Sequence, residues 1–150
     1  MKSPRAVTQA TRSALFVVAT AALSFGAGCA HADKPPLTGC FATTLGGQAH
    51  YRVERAGKGY KVLSRDGQHD PWQNDGPPLH VTGPQEMKDI FGNDTHFIIH
   101  GIDGYDPDGD VFSLYALIPH SGMMPWAPNA PYLIAGMEGS QPAYRVDCSH

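Results

Sequence analysis

Several kinds of chemistry have no residues to carry them in this sequence. The one marked apolar run, Ala14–Leu23, is about half the roughly 20 residues that a membrane-spanning helix needs. There is no Gly-x-Ser-x-Gly elbow, no His-Glu-x-x-His pair and no phosphate-binding loop. Glutamate occurs only at Glu54, Glu86 and Glu138, none with an identifiable partner. A non-enzymatic protein is therefore expected, with no catalytic residue and no cofactor assigned. Cysteine occurs three times and never as Cys-x-x-Cys, so redox chemistry is not expected. Basic residues are nearly missing from the middle of the chain. Between Asp66 and Asp110 there are ten acidic residues and one base, Lys88. Solvated turn residues account for such acids at the least; as a surface they repel nucleic acid and anionic lipid and attract a cationic partner.

What is present begins at the N-terminus. Lys2, Arg5 and Arg12 precede the apolar run, and small residues follow it, which is the build of a bacterial export signal over residues 1–32. Two ends are open to it. Ala30-His31-Ala32 suits an ordinary signal peptidase and would start the mature chain at Asp33. Gly26-Ala27-Gly28-Cys29 resembles the lipobox of bacterial lipoproteins, departing from it at Gly26, where leucine is usual. That resemblance implies lipidation of Cys29, a membrane attachment through that anchor alone and, with Ala30 following, sorting to the outer membrane. Either way the mature chain is expected in an oxidising, extracytoplasmic compartment. Loss of the leader leaves 8 basic against 14 acidic residues, net −6.

Setting Cys29 aside leaves Cys40 and Cys148, an even pair near the two ends of the mature chain. Bridged, they would staple the fold rather than perform chemistry. The alternative is two buried thiols.

Residues 33–38, with Pro35-Pro36, read as a short tether, and residues 39–150 as one β-rich domain. Cys40–Thr44, Ala49–Arg55 and Tyr60–Leu63 read as a strand meander broken by Gly46-Gly47 and Gly57-Lys58-Gly59. Thr95–Ile102, Val111–Ile118, Tyr132–Met137 and Ala143–Cys148 read as further strands. Phe112, Leu114, Ala116 and Ile118 form a core face, with Ser113 and Tyr115 on the other. Thr82-Gly83-Pro84-Gln85-Glu86 is a helix start, and Gly92 ends a helix of about two turns. The expected fold is mainly β: an antiparallel sheet or open β-barrel of about seven short strands, one short helix and one disulfide.

Metal ligation has three weak candidates, and no metal residue is assigned. His96 and His100 would share a helical face, but Phe97-Ile98-Ile99 between them favours a strand, which sets them about 13 Å apart. Asp103, Asp106, Asp108 and Asp110 approach a calcium loop, but the twelfth position from Asp106 is Leu117 rather than Glu. His120, Met123 and Met124 are soft copper donors at most.

Recognition is the remaining expectation. Two long irregular loops each carry a tryptophan: Gln68–Pro78 with Trp72, and Pro119–Pro131 with Trp126. They cap the core or anchor a partner. Read as anchors, Trp72, Asp75, His120 and Trp126 are the expected binding residues. In overall design (export signal, lipobox-like end, small acidic disulfide-stapled β domain) the chain is similar to bacterial lysozyme inhibitors and periplasmic immunity lipoproteins. No residue motif carries that resemblance. It implies a periplasmic or outer-membrane-anchored binding module for a basic protein such as a cell-wall hydrolase. The alternatives are a small-ligand or metal-binding β-barrel and a structural envelope protein.

Overall fold

Eight antiparallel strands among the described residues make one sheet that curls into a nearly closed barrel, in the order β3-β2-β1-β8-β7-β6-β5-β4. The computed structural model describes residues 33–107, 109, 111–137 and 139–149. The export signal with Cys29, and Asp108 and Asp110 of the calcium-like turn, lie outside the described residues. The strands are β1 Gly39–Ala42, β2 Tyr51–Ala56, β3 Gly59–Ser64, β4 His80–Val81, β5 Ile98–Tyr105, β6 Val111–Leu117, β7 Tyr132–Gly136 and β8 Gly139–Val146. Helix α1, Pro84–Phe91, and a 3-10 turn, Gly92–Phe97, lie between β4 and β5. Among the described residues no helix is long and apolar enough to cross a membrane.

Alternation along the strands sorts the side chains. Phe41, Val53, Val62, Ile102, Leu114 and Ile134 fill the interior, each burial contributing about 1.5–3 kcal/mol. Phe41 and Tyr132 meet edge to face with ring centroids 5.2 Å apart, the arrangement the ring quadrupoles favour. An eight-stranded barrel of this kind is filled by its own side chains. The stretch expected as a tether is fastened at its end: Leu37 is buried, the Tyr132 hydroxyl donates to the Pro36 carbonyl at 3.1 Å, and His100 Nε2 bonds the Pro35 carbonyl at 2.6 Å.

The structure differs from the sequence expectation in four places. The last strand, expected over Ala143–Cys148, runs Gly139–Val146, because its pairing with β7 extends back to Gly139 opposite Gly136. The eighth strand, β4, is only two residues long and carries no readable period. The strand expected over Thr95–Ile102 starts at Ile98 and runs to Tyr105, because Gly92–Phe97 winds as a 3-10 turn. His96 therefore stands on that turn, bonded to the Asn93 carbonyl at 2.6 Å, while His100 faces Pro35 from β5. Finally, Ile118 lies past the end of β6 and is exposed, whereas Ser113 and Tyr115, expected on the opposite face, are both buried there. A second apolar cluster covers that outer face. Tyr115, Leu117 and Leu133 pack beneath Phe91 of α1 and Met124 of the 119–131 loop. Phe91 and Tyr115 meet edge to face, centroids 4.8 Å apart. Gly101 makes room for this packing, since a Cβ there would sit 2.1 Å from the Tyr115 ring.

The first and last strands are neighbours, with Cys40 opposite Val146, and the Cys40–Cys148 disulfide ties them at a Cα separation of 5.1 Å. It closes a loop with a sequence separation of 108 residues. The chain-entropy account assigns such a loop about 4–5 kcal/mol. Reduction, or Cys40→Ser with Cys148→Ser, is expected to lower the urea unfolding midpoint by a corresponding several kcal/mol while leaving the far-ultraviolet circular dichroism of the native state unchanged.

Candidate functional site

Strand register lays a row of small and polar residues across the outside of the barrel. His80 pairs with Asp103 across β4–β5, Asp103 with Ser113, Ser113 with Ala135, and Ala135 with Ser140. Directly opposed residues project from the same face of a sheet. The outer cover of α1 and the 119–131 loop leaves this row open, as the floor of a cavity of about 430 Å³. Ile90 and Phe91 of α1 wall one side; Tyr105 and Val111 line it too.

Three titratable side chains converge there from three elements. The Pro84 start fixes the first turn of α1, and Glu86, two residues on, reaches back so that its Oε2 accepts the Gly83 N–H at 3.1 Å, half of a capping box. His80 Nε2 lies 3.1 Å from Glu86 Oε1 and 3.3 Å from Asp103 Oδ1. The Thr82 hydroxyl donates to Asp103 Oδ1 at 3.1 Å, and Thr82 itself is held by its N–H to the Gly101 carbonyl at 3.0 Å. His80 and Glu86 are open to solvent, whereas the Asp103 side chain is only 13% exposed. The Tyr115 hydroxyl is buried beside them and makes no hydrogen bond with any described residue. Ser113 and Thr82 lie near enough to bias its titration without meeting hydrogen-bond geometry.

The two carboxyls are pushed in opposite directions. The Gly83 N–H, with help from His80, holds Glu86 below the usual carboxylate range. Burial pushes Asp103 up; the Thr82 hydrogen bond opposes this, and the Glu86 charge adds to it. Burial, joined by the charges of Asp103 and Glu86, raises the Tyr115 phenol. Such a set can bind a cation, donate or accept hydrogen bonds, and hold a metal through His80, Glu86 and Asp103, whose donor atoms all lie within 4.8 Å of one another.

No family model matches this chain, and neither does any curated protein or solved structure. The site therefore rests on its own geometry.

The residues expected from sequence lie elsewhere and in different surroundings. Trp72 is half-buried with the Arg65 guanidinium 4.4 Å from its ring centroid. Asp75, on the same loop, accepts the Ser64 hydroxyl at 2.9 Å. That loop is tacked to β3 through Ser64–Gln73 and Tyr60–Leu79 bridges. His120 is exposed with φ 58° at the start of the other loop. Trp126 is 70% exposed, in a hollow shared with Leu45, Tyr144 and Arg145. Sequence reasoning passed over His80, Glu86 and Tyr115 as site residues. The one local signal was Glu86 in the first turn of a helix with His80 six residues upstream; Asp103 drew notice only as part of a calcium-like run.

The opposite shifts have opposite consequences for stability. A lowered carboxylate stabilises the fold above its ordinary value and loses that contribution as pH falls through the lowered one. A raised carboxylate stabilises below its ordinary value and loses its contribution as pH rises through the raised one. Between about pH 3 and pH 7, Asp103→Asn is expected to gain stability relative to the unsubstituted protein, and Glu86→Gln to lose it. Urea midpoints at both pH values check the two signs.

Proposed function

We propose that this chain is an exported, non-enzymatic binding module of the cell envelope whose partner is a basic protein of the cell-wall hydrolase class. One observation carries the reading. Three of the acidic side chains between Asp66 and Asp110 (Asp75, Glu86 and Asp103) lie around Val111 at one rim of the barrel. That residue lines the cavity holding Glu86 and Asp103, and also the neighbouring hollow that contains Asp75 and Met137. Among the described residues, no Lys or Arg lines either one. Large apolar side chains stand in water among these acids: Met137 is 75% and Tyr105 68% exposed. Exposed apolar anchors ringed by charge suit a protein interface, and the acids steer a cationic partner towards it.

Asp75 belongs to this rim, and Trp72 to the same loop. Trp126 and His120 belong to the 119–131 loop, where Arg145 shares the Trp126 hollow. A basic partner is less favoured there, so the rim is taken as the docking surface and Trp126 as a separate contact.

A small-ligand or metal-binding role is the second reading. The filled interior disfavours a ligand inside the barrel. The His80–Glu86–Asp103 cluster favours a ligand outside it.

The first reading is tested by titrating a basic lysozyme-class hydrolase onto the oxidised protein and following wall lysis in parallel. Binding is expected at low ionic strength, weakening about tenfold or more when salt shortens the Debye length from roughly 14 to 6 Å. Replacing Tyr105 and Met137 together by Ala is expected to cost about tenfold or more in affinity. Absence of both binding and inhibition at low salt overturns the reading. Affinity that survives the Tyr105 and Met137 replacements but falls in Trp126→Ala moves the surface to the other loop.

A further inference from the structure

We propose that His80, Glu86 and Asp103 form a three-ligand site for one divalent transition-metal ion, with a further coordination position open to the cavity beside the Tyr115 hydroxyl. This deepens the second reading above and stands independently of basic-protein docking.

Donor spacing is the first argument. Zinc bonds imidazole nitrogen and carboxylate oxygen at about 2.0–2.2 Å, so donors sharing one ion in tetrahedral or octahedral geometry stand roughly 3.0–3.5 Å apart. The two separations from His80 Nε2 are 3.1 Å to Glu86 and 3.3 Å to Asp103. All three donor atoms lie within 4.8 Å of one another.

One imidazole nitrogen is shared between two carboxyls. His80 Nε2 carries at most one proton, yet two carboxylates crowd it. The Asp103 side chain is also mostly out of water. A divalent ion would bond both oxygens at once. The outer partners are already in place. The Gly83 N–H holds Glu86, and the Thr82 hydroxyl holds Asp103, as second-layer hydrogen bonds do in built metal sites.

The Tyr115 hydroxyl is an independent observation. Its residue is 1% exposed, its oxygen has no hydrogen-bond partner among the described residues, and it lines the same cavity. A buried hydroxyl left unpaired costs about 1–3 kcal/mol. Water or another small ligand on the ion's open position would give it a partner.

The donor set also selects the ion. Calcium takes six to eight oxygens, and magnesium retains most of its water. One imidazole with two carboxylates suits zinc, manganese or ferrous iron. Three protein ligands with an open fourth position is the arrangement of sites that bind exchangeable ligands.

The test is calorimetric titration of Zn²⁺ into the oxidised, chelator-treated protein, with Ca²⁺ as comparison. One Zn²⁺ per chain is expected, with Ca²⁺ binding far weaker. His80→Gln, Glu86→Gln and Asp103→Asn are each expected to weaken Zn²⁺ at least as much as loss of an outer partner does, about 10–100-fold. His96→Ala, on the 3-10 turn, is expected to change nothing. His80 and Glu86 are solvent-open, so their variants keep the fold, and circular dichroism of the metal-free forms verifies this. Co²⁺ gives a second readout: its visible d–d bands should appear on binding, vanish on Zn²⁺ addition and shift in Tyr115→Phe. Failure of Zn²⁺ to bind stoichiometrically overturns the proposal, as does binding that survives His80→Gln and Asp103→Asn. Neither result bears on whether a basic hydrolase docks at the Val111 rim.

Discussion

Two backbone hydrogen bonds between Tyr60 and Leu79 decide where the polar cluster stands. The Tyr60 N–H donates to the Leu79 carbonyl and the Leu79 N–H to the Tyr60 carbonyl, both at 2.9 Å. They tie the chain just before β4 to the far edge of the sheet, so that the first and last strands of the order nearly meet. Leu79 then drops into the core, and His80, the next residue, must face outward. Its partner on that outer face is Asp103. Closure depends on close backbone approach: a Cβ on Gly59 would lie 2.4 Å from the Leu79 carbonyl oxygen. The same joint blunts the sheet's open edges, which would otherwise offer unpaired backbone groups to other chains.

The stability of the fold and the chemistry of the site pull against each other at Asp103. Burial makes its ionisation costly, and the Glu86 charge makes it costlier. A half-buried polar row without a task would be better filled by apolar residues, as happens at Leu133 and Leu117 nearby on the same outer face. Instead, the row keeps His80, Asp103, Ser113 and Ser140, and Tyr115 keeps a buried hydroxyl. Perturbed groups held in a cavity by specific partners mark functional sites more often than structural ones.

Local pattern made much of this architecture legible. The β2–β3 alternation and the apolar face of Phe112, Leu114 and Ala116 are decided by residues two apart, which sequence displays directly. The start of α1 was legible because proline and an early acid are local devices, and the Cys40–Cys148 pairing because no other partner remained outside the signal. What stayed hidden depends on register. A two-residue strand has no period, so β4 could not be read, and without β4 nothing connects His80 to Asp103. Tyr115 looked like an outward aromatic because its cover comes from α1 and from a loop beginning beyond β6. The β-branched and aromatic run after Thr95 favours a strand, but there the turn begun at Gly92 continues to Phe97, with the Thr95 hydroxyl bonded to the Gly92 carbonyl at 3.4 Å. The acidic rim was half legible: charge density showed in the sequence, but not which acids, Asp75, Glu86 and Asp103, come to lie near Val111.

The location of the open row follows from how such a small barrel is covered. With its interior filled, any site must lie outside. An outer face needs cover wherever its side chains are apolar. Helix α1 and the 119–131 loop supply it over Tyr115, Leu117 and Leu133. Two short elements do not extend over Ser140 and His80, which are exposed. Where the cover ends, the sheet must present polar residues to water, and the helix that ends the cover brings Glu86 to the same border. The cavity is therefore the seam between covered and uncovered sheet, where a carboxylate from the helix and a carboxylate from the strand necessarily face one another. Like charges forced together at a seam need a counter-charge. His80 can supply one when protonated, and a bound cation can supply a larger one.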